Sequence, residues 1–286
     1  MNGPSVRDIL KKSEAFLAER GVDCPRLSAE LLLAEALGLD RLHLFLDMDR
    51  PLTADEVSRA RDLVARRGRG EPVALILGRK EFFGLEFRVT RDVLVPRPET
   101  ELLLEEAQRD IPKDAAFLAA DLGTGSGCLA VALAVLFPQA RVAAVDVSPA
   151  ALAVARDNTQ RHGVAERVLP VRADAGRCPL ADGSCRLVLA NPPYVSAPEF
   201  AGLSCEVREF EPRLALWGGD DGLDQVRAQA PEVARLLAPG GLGFMEIGCS
   251  QGPAALEIFQ SLAAFSRATV LRDLAGRQRA VAVLRG

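Results

Sequence analysis

The sequence predicts a doubly wound α/β domain with a seven-stranded, mostly parallel sheet, preceded by a small all-α domain and joined to it by a β-hairpin. Three observations carry that expectation. Residues 1–78 hold apolar residues at helical spacing without a strand pattern. Residues 79–96 switch to a hairpin pattern, and residues 97–286 then alternate strand and helix. A chain of 286 residues exceeds one typical domain, and its 49% hydrophobic and 26% charged content excludes disorder as the main state.

The helical part begins with Ser5, a cap for the apolar series Val6, Ile9, Leu10, Phe16 and Leu17, with Gly21 as a stop. Pro25 opens a second helix that runs to Gly38, and a short third carries Leu42, Leu44 and Phe45. Thr53-Ala54-Asp55-Glu56 is a capping box in front of Val57, Ala60, Leu63 and Val64. Pro72 begins a last apolar piece that stops at Gly78. From Glu81 to Val89 the aromatic and β-branched content rises around Gly84, which predicts the hairpin.

Strands are expected at residues 116–122, 141–147, 167–172, 185–190, 242–247, 268–271 and 279–284. Helices are expected at 102–104 and onward, 129–137, 149–162, 223–237 and 254–262. Ser148-Pro149 marks one helix start sharply, since a cap precedes a proline at the first helical position.

Composition narrows the function classes. A net charge of −4 argues against a chain that grips long nucleic acid electrostatically. No run of about 20 apolar residues occurs, and a secretory n-region and h-region are absent, so a cytoplasmic protein without a membrane partner is expected. The six cysteines form no C-x-x-C pair, and His43 and His162 stand alone, which leaves no metal-ligand spacing.

The chemistry-bearing residues fall at strand ends. Asp121-Leu122-Gly123-Thr124-Gly125-Ser126-Gly127 closes the first sheet strand and opens a helix, where glycines permit a sharp turn and a helix N-terminus offers free N–H groups. Its spacing is neither the dinucleotide fingerprint nor a P-loop. Asp146 ends the next strand, where an acid accepts from both hydroxyls of a ribose, and Asp174 follows the third, within reach of an adenine amino group. No Arg or Lys lies in the glycine turn, so the expected ligand has a ribose and a base but no phosphate.

Asn191-Pro192-Pro193-Tyr194 follows the fourth strand. Its prolines stiffen the backbone and delete two N–H donors, so the Asn191 amide oxygen and the Pro192 carbonyl can both accept from one planar –NH2 group. Tyr194, the only tyrosine, offers a flat face to that group.

Asp121–Gly127, Asp146 and Asn191–Tyr194 together resemble a class I (Rossmann-like) S-adenosylmethionine methyltransferase that alkylates amide or exocyclic nitrogens. Residues 93–101 (Val-Leu-Val-Pro-Arg-Pro-Glu-Thr-Glu), Glu81-Phe82-Phe83-Gly84, Glu211–Leu216, Gly218-Gly219 and Asp221-Gly222-Leu223 narrow the resemblance to the HemK/PrmC family, over nearly the whole chain. Members of that family methylate the side-chain amide nitrogen (N5) of the glutamine in the Gly-Gly-Gln motif of bacterial class 1 peptide-chain release factors.

The resemblance implies a cofactor site at Asp121, Gly123, Thr124, Gly125, Ser126, Gly127, Asp146, Asp174, Ala175 and Asn191, with S-adenosylhomocysteine as product. It implies catalysis by Asn191, Pro192 and Tyr194, with Pro193 joining them against the substrate. Residues 1–78 would contact the protein substrate, 79–96 would link, and 97–286 would form the methyltransferase domain. Two positions depart from the family pattern. Ala175 stands where some members place an aromatic on the adenine, and Trp217 stands where many have a polar residue, as packing or as a substrate contact.

Direct transfer to a neutral amide needs positioning and acceptors rather than a nucleophile, and no His or Cys is expected to take part. A DNA adenine-N6 methyltransferase would use the same tetrad but must flip a base, and no separate target-recognition domain is evident. A cofactor-sensing protein without activity is the non-enzyme alternative, decided by whether S-adenosylmethionine binds at all.

Overall fold

The computed structural model describes residues 3–286. Helix α1 (Val6–Glu19) starts at Ser5, whose side chain accepts from the Asp8 N–H while the Asp8 carboxylate accepts from the Ser5 N–H. Helix α2 (Pro25–Leu37) stops at Gly38 in the left-handed region, and α3 (Arg41–Leu46) follows. Thr53 and Glu56 make the same reciprocal box before α4 (Ala54–Gly68), and α5 (Val73–Leu77) ends at Gly78.

The hairpin pairs β1 (Arg79–Phe82) with β2 (Leu85–Arg88). Phe83 (φ 53°) and Gly84 (φ 73°) both take positive φ at its turn, the geometry that matches strand twist in two-residue hairpins. A phenylalanine is costly there. Carboxylates offset it, because Glu101 accepts from the Phe83 N–H and Glu81 from the Gly84 N–H.

A 3₁₀ turn (Pro98–Thr100) leads into α6 (Glu101–Asp110). The alternation then runs β3 (Leu118–Leu122), α7 (Cys128–Leu136), β4 (Arg141–Asp146), α8 (Pro149–Arg161), β5 (Val168–Arg172) and β6 (Cys185–Ala190). Short helices α9 (Ala197–Ala201) and α10 (Cys205–Phe210) come next, where the sequence pattern showed no element. The chain finishes with α11 (Asp224–Leu236), β7 (Leu237–Glu246), α12 (Gly252–Gln260), β8 (Phe265–Arg272) and β9 (Gln278–Arg285). All seven sheet strands fall where they were expected, with ends shifted by a few residues; the largest shift extends β7 back to Leu237.

The seven-stranded sheet has the order β5-β4-β3-β6-β7-β9-β8, parallel from β5 to β7 and antiparallel at β9 and β8. Side chains alternate between its faces. Ala119, Val142, Ala144, Leu187 and Leu189 pack toward α6 and α7, while Ala120, Leu122, Ala143, Val145 and Val188 pack toward α11 and α12. From β3 the chain builds outward to β4 and β5, then returns to β6 on the other side. The strand order therefore reverses between β3 and β6, and an open α/β sheet opens a crevice at such a point beyond its strand C-termini.

The chain divides into two compact units: residues up to Arg79 together with Ser204–Phe210, and Lys80–Leu203 together with Glu211–Gly286. Two features of this division differ from the sequence reading. Helix α10 joins the first unit, where Glu206 pairs with the buried Arg67 at 2.8 Å. Also, the hairpin expected to be a linker over 79–96 is part of the second unit's core, since Phe82 and Phe87 are buried with Leu103, Leu104 and Leu133. Val6, Leu17, Leu32, Leu33 and Leu44 lead a separate core in the first unit. No helix among the described residues is long and apolar enough to cross a membrane, and no cluster of three metal-ligating side chains occurs among them.

Candidate active site

The crevice at the β3–β6 switch point is a cavity of about 640 Å³ within the second unit. Its floor is Gly123, Thr124, Gly125 and Ser126 after β3; Asp146 and Ser148 stand after β4, Asp174 and Ala175 after β5, Asn191 and Pro193 after β6. Two further segments close the mouth, Asp92–Arg97 and Pro212–Trp217.

The glycine turn is made by backbone. Gly123 (φ 78°) and Gly125 (φ 54°) take conformations that side chains with a Cβ resist, and the N–H groups of Gly123 and Thr124 both donate to the Val145 carbonyl. Gly127 serves packing instead. A Cβ there would meet Ala155 at 3.1 Å, so this glycine lets α7 approach α8 and does not line the cavity. Asp146 accepts from the Gly125 N–H on Oδ2 and from the Ser148 N–H on Oδ1, both at 2.9 Å, which leaves lone pairs of a half-buried carboxylate on the cavity wall. Asp174 is exposed and accepts from the Gly176 N–H.

Asp121 is 1% exposed and stands behind the turn rather than on the cavity. Its Oδ2 accepts from the Thr124 hydroxyl at 2.6 Å and the Ala130 N–H at 3.1 Å, tying β3 to α7. Its Oδ1 is buried without a partner, as is Ser126 Oγ. Burial outweighs those bonds and pushes the carboxyl up to about 7.

Of the tetrad, Asn191 and Pro193 line the cavity, whereas Pro192 is buried and Tyr194 lies behind. Asn191 donates from Nδ2 to Thr100 Oγ1 at 3.0 Å. The Thr100 hydroxyl donates in turn to Glu246 Oε2 at 2.6 Å, and the Tyr194 hydroxyl donates to Glu246 Oε1 at 3.1 Å. Tyr194 is thus held by its hydroxyl, a role apart from the flat packing face expected for it. Burial, then the neighbouring Glu246, raises its phenol above the usual range. Glu246 itself is 2% exposed, and burial pushes it up to about 7 against the hydrogen bonds from Thr100 and Tyr194.

Three braces hold the site, and of these the sequence marked only Glu211, as part of a motif and without a role. Glu246 closes the apolar strand β7, and its only signal was an acid at the end of the run Leu242-Gly243-Phe244-Met245. Gln251 donates to the carbonyls of Tyr194 (2.9 Å) and Gly222 (3.1 Å), pinning the loop from outside. Buried Glu211 accepts from Arg97 at 2.6 Å and from the Val95 N–H at 3.3 Å, joining the two mouth segments. Trp217 lines the mouth and makes an edge contact with Phe200, with the Arg213 guanidinium over both rings.

Comparison with known proteins adds independent findings. Residues 8–78 match the family model of the PrmC N-terminal domain, and residues 119–210 match that of a methyltransferase domain. A release factor glutamine methyltransferase from Geobacter sulfurreducens is 46% identical over 255 residues, covering 89% of this chain and 88% of that one. One from Nitratidesulfovibrio vulgaris is 44% identical, covering 96% of this chain and 93% of that one. Among solved structures, a methyltransferase from Pyrococcus furiosus superposes with a TM-score of 0.53 at 19% identity, covering 78% of this chain and 97% of that one.

Proposed function

The chain belongs to the family of release factor glutamine methyltransferases, and on that premise we propose that the glycine turn after β3 receives the cofactor while the Asn191–Tyr194 loop receives the substrate amide. The enzyme transfers a methyl group from S-adenosylmethionine to a glutamine of a peptide-chain release factor. The acceptor atom is the side-chain amide nitrogen, N5, of the glutamine in a Gly-Gly-Gln motif, and the substrates are class 1 release factors. The helical unit engages the protein substrate, a reading supported by its separate core and by its match to the PrmC N-terminal domain. This makes a cytoplasmic enzyme without a membrane or stable nucleic-acid partner.

The residues present suit the cofactor. Asp146 keeps acceptor capacity on the cavity wall for ribose hydroxyls, and Asp174 and Ala175 stand one strand further for a base. The turn has no cation for a phosphate, and Arg97 is already paired with Glu211. Bound S-adenosylmethionine supplies a methyl group on a cationic sulfur.

One observation carries the reading of the substrate side. Asn191 Nδ2 is held by Thr100, while Asn191 Oδ1 has no partner among the described residues and belongs to a side chain that lines the same cavity as the turn. Such an oxygen accepts from an –NH2 group. With the Pro192 carbonyl it holds the planar amide of the substrate, whose nitrogen is a weak nucleophile because its lone pair is delocalised. Both bonds strengthen as positive charge develops on that nitrogen, so they favour the transition state over the ground state. No side chain has to take the proton, which can leave to water after transfer.

The test is mass spectrometry of an intact class 1 release factor after incubation with this protein and S-adenosylmethionine. The expected product carries one methyl group on the Gly-Gly-Gln glutamine side chain. An unmodified glutamine, or a methyl group elsewhere, would overturn the assignment.

A further inference from the structure

The hydrogen bonds behind the cavity obey a strict donor–acceptor count. An ionised Glu246 can only accept. It receives the Tyr194 hydroxyl on Oε1 and the Thr100 hydroxyl on Oε2. Thr100 owns a single hydroxyl hydrogen, so once that hydrogen points at Glu246, Oγ1 can only accept from its other neighbour. That neighbour is Asn191, at 3.0 Å. An amide placed against an accepting oxygen must present its –NH2 to it. The opposite rotamer would set Asn191 Oδ1 against Thr100 Oγ1 with no hydrogen between them, and would leave –NH2 as the group available to the substrate.

We propose that Glu246 and Thr100 are positioning residues for the methyl transfer: the ionised Glu246 carboxylate orients the Thr100 hydroxyl, and Thr100 in turn fixes which face of the Asn191 amide meets the substrate. The inference rests on the reading of Asn191 as the acceptor for the substrate amide. It explains why an acid is buried at the end of β7 although nothing cationic is hydrogen-bonded to it. A neutral residue with its own hydrogen would not compel the same orientation. Neither residue needs to touch the reacting atoms.

Protonation breaks the count. A proton on Oε2 turns Glu246 into a donor toward Thr100, frees the Thr100 hydrogen for Asn191, and permits the amide to turn over. Burial raises Glu246 to about 7, so this loss lies within reach of ordinary buffers. Transfer is therefore faster with Glu246 ionised and slows as pH falls through that range. Other groups act on the carboxylate. Glu99 favours its protonation and Arg279 opposes it, Arg97 acts on Tyr194, and Cys128 feels both Glu246 and Asp121. Asp121 is also raised to about 7, so an acid limb in the wild type alone does not identify the group responsible.

Thr100→Val separates the two. Single-turnover methylation of an intact class 1 release factor, at saturating S-adenosylmethionine, is measured between about pH 5.5 and 9 for wild type, Thr100→Val, Thr100→Ser and Asn191→Ala. Valine keeps the shape of threonine but removes the relay, so the plateau rate is expected to fall about tenfold, the usual worth of one oriented hydrogen bond. Its acid limb should vanish, while the cofactor dissociation constant changes less than about twofold. Thr100→Ser should restore both rate and limb. A limb that persists in Thr100→Val belongs to Asp121 or another group and overturns the proposal, as does a Thr100→Val plateau equal to wild type. If Asn191→Ala alone keeps the wild-type rate, the substrate-side reading itself has failed, an outcome distinct from a failure confined to the Thr100 variants.

Discussion

The turn after β3 and the loop after β6 follow adjacent strands and line one cavity, and each is backed by a buried carboxylate pushed up to about 7. The two are built oppositely. The β3 turn is made of glycine backbone, and its carboxylate, Asp121, keeps one oxygen without a partner. The β6 loop is made of side chains, and both oxygens of its carboxylate, Glu246, accept hydrogen bonds. A ligand that binds through shape and several weak contacts tolerates slack on its side. A reaction centre that must offer one oxygen in one direction does not. The rigid side should thus show large losses in rate, and the slack side smaller changes in affinity.

The largest effect is expected on the rigid side. Asn191→Ala removes an acceptor whose bond tightens as the substrate nitrogen becomes positive, and such a group is worth about 2.7–4 kcal/mol, or ~10²–10³ in rate. The side chain is on a loop and its truncation opens no core cavity, so the melting behaviour should match wild type to within ~1–2 kcal/mol. Single-turnover kinetics decide the matter. A variant that keeps more than about a tenth of the rate would remove the loop from the reaction centre.

On the slack side, Asp146→Ala should weaken S-adenosylmethionine by removing charge-assisted bonds of about 1.5–3 kcal/mol each. Part of that loss will come through the turn, because the same carboxylate holds the Gly125 and Ser148 N–H groups. Titration calorimetry should find the cofactor affinity lowered while the rate at saturating cofactor changes less. Unchanged affinity would exclude Asp146 from the ribose role.

Asp121 tests the slack directly. Its carboxyl is raised by burial, so between the unfolded value of 3.8 and the folded value of about 7 the folded state holds a proton that the unfolded state has lost. Stability from this group is complete below about 4 and is lost as pH rises through about 7. Asp121→Asn cannot ionise, keeps an oxygen for Thr124 and Ala130, and fills the unpartnered position with –NH2. Denaturant melts should show the variant gaining on wild type from acid to neutral pH, by about 1–2 kcal/mol after relaxation of the site. A constant difference across that range would mean that Asp121 is ionised in the folded protein.

The two sides also differed in how much the sequence disclosed. The positions of Gly123, Gly125, Asp146 and Asp174 at or just beyond the strand ends were legible because strand, turn and helix signals are local. Ser5, Thr53 and Gly38 marked helix ends for the same reason. Glu246 was not legible, since its partners lie far away along the chain at Thr100 and Tyr194. The hairpin was found but misassigned as a linker: period-2 patterning identifies strands without saying which core buries them. Asp121 and Gly127 were grouped with the ligand-facing residues by motif spacing, although the structure uses one to tie the turn to α7 and the other to let two helices meet.

The smallest effect is also on the slack side. Ala175 lines the cavity after β5, beside Asp174, and is half-buried against the apolar layer beneath. If the cofactor base lies there, a methyl group gives it little to rest on. Ala175→Phe supplies a ring face, and a stacked aromatic contributes about 0.5–1.5 kcal/mol beyond its buried area. Cofactor affinity should rise by a factor of roughly two to ten, with the single-turnover rate at saturating S-adenosylmethionine unchanged, because the β6 loop and its carboxylate are untouched. The contrast between the two sides predicts this separation of affinity from rate. Calorimetry that finds the ring neutral for binding would move the base away from Ala175. A ring that lowered the saturated rate instead would show that the turn side is no slacker than the loop side.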